Sequence, residues 1–147
     1  MAIGHTYKYD KKADISPDAV KCFVENFKNP NRDDRLMATY AFQFLAGRKG
    51  TEESLPAVAE CFVKCSDSRS NLIHVFRAYG DRSLTYLKKA LAHSDEQVRI
   101  YALSTVFYLG PIGRPLLPEI EKALSDPSED VKFHARFARD KVLQATK

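Results

Sequence analysis

Apolar residues along this chain recur at three- and four-residue intervals in short runs, and brief polar turns separate the runs. That period is helical, and no segment alternates apolar and polar residues over a strand's length, so the pattern predicts an all-α protein. Eight helices are expected, at about 17 to 27, 33 to 46, 54 to 65, 69 to 79, 83 to 92, 95 to 109, 115 to 125 and 128 to 145. Ser16, Pro17 and Asp18 supply an N-cap, a first helical position and a charge suited to the positive end of the helix dipole. Gly47 and Gly50 are expected to stop the second helix.

The runs repeat. LPAVAECF from Leu55, LTYLKKAL from Leu84 and LPEIEKAL from Leu117 begin 29 and 33 residues apart. Each is followed by a polar turn, SDSRS, HSDEQ or DPSED, and then by a second apolar run from Leu72, Val98 or Val131. With the weaker opening copy this makes four helical hairpins, about 16–47, 53–80, 83–110 and 115–145, within one domain, 16–147, behind an N-terminal extension, 1–15. A hairpin of this size cannot bury its own apolar face, so neighbours must stack.

The last two copies differ in an informative way. Val98, Ala102, Thr105 and Leu109 form one face of the sixth helix, and Leu103, Val106 and Phe107 form another, which predicts burial on several sides. Thirty-three residues later the first face persists as Val131, Ala135, Ala138 and Val142, while the second becomes Arg136, Arg139 and Asp140. The stripe of Lys132, Arg136 and Arg139 therefore reads as a solubilising cap on the last hairpin before it reads as a binding site.

Composition adds bounds. The 147 residues suffice for one core, no run approaches the length of a membrane span, and the polar N-terminus lacks the apolar stretch of a secretory signal, so a cytoplasmic protein is expected. Three cysteines fit a reduced compartment; Cys61 and Cys65 share a helix face and are expected to be packing residues rather than metal ligands. A net charge of +4 is a mild basic excess, too small to identify a nucleic-acid binder. His74, in NLIHVFRAY, has no orienting acid or nucleophile beside it and reads as a core or interface histidine. Tyr101 and Tyr108 read as packing residues with base stacking as the alternative, and Gly110, Pro111 and Gly113 as a turn.

HSDEQVRIYALSTVFYLG and DPSEDVKFHARFARDKV resemble the second half of HEAT-like repeats: a turn with Asp126 and Pro127, Val with a basic residue (Val98 with Arg99, Val131 with Lys132), Ala four later (Ala102, Ala135) and a Leu109–Gly110 close. The resemblance implies a right-handed α–α solenoid. It also implies that Arg99 and Lys132 join a ladder between neighbouring hairpins. His93 stands where Asp126 stands one repeat later, and the second hairpin lacks the Val-basic pair, so an interrupted ladder is expected.

Members that resemble deoxyhypusine hydroxylase would need His-Glu dipeptides to hold iron, and none of the four histidines is followed by Glu. No local motif speaks for a phycobilin-lyase pocket. HEAT-like DNA glycosylases use a basic concave face with aromatic contacts, and this chain has both residue types but no Trp. The reading is a protein-binding module or small adaptor without a cofactor or catalysis of its own, with nucleic acid as the alternative partner and a lyase-type enzyme behind both. Second helices of such stacks line the concave side, which makes Arg77, Arg99, Tyr101, Lys132, Arg136 and Arg139 the candidate contacts.

Overall fold

A computed structural model of the chain describes residues 14 to 144. The expected N-terminal extension lies outside the described residues except for Asp14 and Ile15. The described chain forms eight α-helices: α1 (Pro17–Asn26), α2 (Arg32–Phe42), α3 (Leu55–Lys64), α4 (Arg69–Tyr79), α5 (Leu84–Leu91), α6 (Glu96–Leu109), α7 (Leu117–Ala123) and α8 (Glu129–Leu143). No strand occurs among the described residues, and no helix there is long and apolar enough to cross a membrane.

Two kinds of helix start occur: side-chain caps open α1, α2, α6 and α8, and 3-10 turns precede α3, α4, α5 and α7. The second helices α2, α6 and α8 open on side-chain caps: Asn31 accepts from the Asp33 and Asp34 amides, Asp95 from Gln97 and Ser128 from Val131. The first helices α3, α5 and α7 grow instead out of 3-10 turns at Glu52–Ser54, Gly80–Ser83 and Gly110–Leu116, with no side-chain cap. Their leading amides are satisfied by the tighter i to i+3 bonds of those turns. Residues 110 to 116 are thus a 3-10 helix rather than a plain turn, and α7 starts two residues later than expected.

Helix α2 ends at Phe42, four residues short of its expected end, and residues 43 to 47 continue as turns. Gly47 has φ +79°, and a Cβ there would lie 2.5 Å from the Ala78 carbonyl oxygen. Its place is set by the close approach of this segment to the end of α4.

Packing follows chain order. Within hairpins α1 packs on α2, α3 on α4, α5 on α6 and α7 on α8; between them α2 packs on α4, α4 on α6 and α6 on α8, while α3 packs on α5 and α5 on α7. One contiguous apolar core runs from Phe27 to Val142. Leu103 and Val106 of α6 are fully buried with Val98 and Ala102, as their two-sided pattern predicts, and Phe107 is half-buried. On α8 the inner face of Val131, Ala135, Ala138 and Val142 is fully buried, whereas Arg136 and Asp140 are exposed.

Candidate functional site

A polar ladder aligns the hairpins and so positions everything on their surface. Arg35 of α2 donates to Asp67 Oδ2 in the next turn (2.6 Å) and to the carbonyl oxygens of Asn29 and Pro30 in its own turn. Arg69 of α4 repeats this with Asp95 (3.3 Å) and the carbonyls of Phe62 and Val63. Arg99 of α6 makes a two-pronged contact with Asp126, 2.9 Å on each prong, and also donates to the carbonyls of His93 and Ser94. Each guanidinium thereby closes one turn and ties it to the next.

The ladder is uninterrupted, contrary to expectation. His93 Nδ1 accepts from the Asp95 amide, as Asp126 Oδ1 accepts from the Ser128 amide, so the histidine takes over the turn-closing task. The acid then sits two residues later, where Asp95 caps α6 and also receives Arg69. In the second hairpin the 3-10 turn Ser66–Ser68 brings Arg69 to the first position of α4, which replaces the missing Val-basic pair. Only 4% of Arg69 is exposed. Burial pushes Asp126 and Asp67 up, but bonds from Arg99 and the Ser128 amide, and from Arg35 and Ser68, outweigh it and hold both carboxyls below the ordinary range. For Asp95 the Gln97 amide is the main cause of the same lowering.

The two outward surfaces of the hairpins differ in chemistry. On the first helices Lys28 of the turn after α1 meets Glu60 of α3 at 2.9 Å, and Lys88 of α5 meets Glu119 of α7 at 2.8 Å. Lys64 also pairs with Glu60, and these two bonds, Lys64's first, hold the Glu60 carboxyl at about 2. The second helices carry aromatics instead. Met37 and Tyr40 on α2, Tyr108 on α6, and Phe133, Phe137 and Leu143 on α8 are all about half exposed or more, with Phe44 just beyond α2 and Ile112 in the 3-10 segment before α7. Among the described residues no exposed large hydrophobic lies on α1, α3, α5 or α7.

These side chains make a connected surface at the C-terminal end. The His74 ring of α4 lies 6.1 Å from Tyr108, Tyr108 packs edge-on against Phe107, and Phe133 stacks edge-on with Phe137 at 4.7 Å. Between α6 and α8 a cleft of about 310 Å³ is lined by Leu103, Ser104, Phe107, Tyr108, Phe133, His134 and Phe137. Ser104 Oγ and His134 Nδ1 are 3.3 Å apart across it.

The predicted contacts divide. Arg99 is consumed by the ladder, 14% of its side chain being exposed, and is structural. Lys132 is held by Glu129 one turn earlier on α8, and Arg139 lies 3.4 Å from the neighbouring Asp140. Tyr101 is half-buried against the core, whereas Tyr108, read with it as packing, is 49% exposed. Arg77 and Arg136 are the two that remain exposed with no ion pair to another described residue. His74 is exposed rather than buried in a core.

Tyr40, Phe44, Phe133, His134 and Phe137 are not among the contacts expected from sequence, and Tyr108 is there only through the alternative of base stacking. A signal for them existed: Tyr40 with Phe44 and Phe133 with Phe137 are aromatic pairs four residues apart, and on α8 that pair falls outside the stripe of Val131, Ala135, Ala138 and Val142. Cys61 is buried, and that burial chiefly pushes its thiol well up; Cys65 is half-buried. Among the described residues no group of three or more His, Cys, Asp or Glu is arranged to hold a metal. No family model matches the chain, and no curated protein sequence matches it either.

Proposed function

We propose that this chain is a protein-binding module: four HEAT-like hairpins stacked as a short right-handed solenoid, with no catalysis of its own, that takes its partner on the outward face of the second helices. The chain-order packing and the ladder from Arg35 to Asp126 support the stacked reading. One observation carries the functional reading, namely the confinement of exposed large hydrophobics to the second helices and the segments just outside the first helices. Monomeric surfaces keep large apolar residues scattered, and a contiguous aromatic patch bordered by polar residues is a mark of an interaction site.

Affinity capture from native extract, in low and high salt, tests this. The wild-type chain is compared with the double variant Tyr108→Ser, Phe133→Ser and with Lys88→Ser on the opposite surface. Salt-resistant capture of a protein, lost in the double variant and kept in Lys88→Ser, is the expected result. Nucleic acid retained in low salt and released in high salt would replace the reading with the phosphate-binding one, because counterion release makes such binding fall steeply with salt.

A further inference from the structure

We infer that the cleft between α6 and α8 docks an acidic peptide segment that inserts a large apolar side chain; the inference rests on the second helices being a protein-binding face. At about 310 Å³ the cleft lies at the bottom of the roughly 300–1,000 Å³ range of ligand pockets, room for an anchoring side chain rather than a folded element. Its walls are Leu103, Phe107, Tyr108, Phe133 and Phe137, and an inserted aromatic ring can meet them edge-on as they already meet one another.

Charge decides the sign of the partner. Lys141 Nζ sits 5.8 Å from the Phe107 ring centroid, Arg77 lies one turn along α4 from His74, and Arg136 adjoins Phe137. Of the acids on α8, Glu129 is tied to Lys132 and Asp140 to Arg139, which leaves Asp130 against three cations. A basic partner would meet an ammonium already placed on the ring; an acidic one is drawn in. A second copy is disfavoured, because a two-fold contact through this face would set the same cations against each other. A nucleic-acid strand needs a continuous basic track for its phosphates, and on α8 Asp130 and the pairing of Lys132 with Glu129 and Arg139 with Asp140 interrupt one.

Fluorescence anisotropy with the full chain tests this, using three short synthetic peptides and an oligouridylate. The first peptide carries two Phe four residues apart among Asp and Glu, the second has Lys for the acids, and the third has Ala for the Phe. The first is expected to bind at least about tenfold tighter than either control. It should weaken at least about fivefold with Phe137→Ser and with Lys141→Glu. Phe137 is 51% exposed, so its variant should keep the wild-type circular dichroism and melting temperature.

Equal or tighter binding of the Lys peptide overturns the inference, as does indifference to Phe137→Ser. Tighter binding of the oligouridylate, or a concentration-dependent dimer that Phe137→Ser abolishes, overturns it in favour of a strand or a second copy. If extract capture depends on Tyr108 and Phe133 while the peptides show no acidic preference, the acidic partner fails and the binding face stands. Capture indifferent to both residues defeats the face itself.

Discussion

The outward surfaces of the first and second helices are built from the same hairpins and differ in chemistry. Both must cover an apolar interior, and both are rich in long side chains. On the first helices those are Lys and Glu joined across neighbours, as in Lys28–Glu60 and Lys88–Glu119. Such pairs keep a surface wet and contribute little to stability, because water competes for each charge. On α2, α6 and α8 aromatic side chains stand exposed among the charged ones, and exposing them serves no folding purpose, since Phe133 and Phe137 would gain by burial. The difference teaches that one surface meets water through paired charges while the other leaves aromatic rings in water, where the proposed partner would cover them.

The sharpest break in that comparison lies beneath the aromatic face. Removing residues 114 to 147 would uncover Leu103 and Val106, both fully buried against α8, and the fragment 1–113 is expected to aggregate in size-exclusion chromatography rather than run as a helical monomer. In the intact chain Leu103→Arg should cost several kcal/mol, about 3 or more, by burying an unpaired charge, measured by urea unfolding.

Next in size come the rungs. Arg69→Ala removes a nearly buried guanidinium from two carbonyls and from Asp95, and is expected to cost about 3 kcal/mol, a fall of roughly 10 °C in Tm. Lys88→Ala on the first-helix surface should cost less than about 1 kcal/mol, since 65% of that lysine side chain is exposed. A similar loss at both positions would erase the distinction between ladder and surface pairs.

Acid should loosen the same rungs. The carboxyls of Asp67, Asp95 and Asp126 are held below their ordinary value of 3.8, so their contribution is complete above that value and is lost as pH falls through the depressed ones. Glu60 behaves alike down to about 2. Tm followed from about pH 5 to pH 2 should therefore fall in the wild type and fall less steeply in Arg99→Ala, which has already lost one such dependence.

The smallest change in stability is expected where binding changes most. Phe133→Ser and Phe137→Ser should shift stability by no more than about 0.5 kcal/mol while abolishing partner capture, because both rings are half exposed. A large loss of stability would mean that these aromatics hold α8 in place, and the contrast between the two surfaces would dissolve into packing.

Local chemistry made most of the fold readable. Periodicity placed eight helices, Ser16 and Pro17 opened α1 as their side chains and dihedrals require, and the change from Leu103 to Arg136 marked the outer end of the last hairpin. These are properties of residues within a turn or two of each other, or of a repeat that restates them. Sequence also supplied Arg99 as a ladder member, whereas Lys132, expected beside it because its place after the turn recurs, pairs with Glu129 of its own helix and makes no rung, since no further hairpin follows among the described residues.

What it could not supply depended on distance between segments remote along the chain. Asp95 takes the acid's place in the ladder because the chain path around His93 brings its carboxylate to Arg69, 26 residues earlier, and spacing alone pointed to His93. Phe133 and Phe137 look like one more apolar pair until the orientation of α8 on α6 turns them outward beside Tyr108. A helix has several faces of equal sequence standing. The neighbour it packs against decides which one water, or a partner, meets.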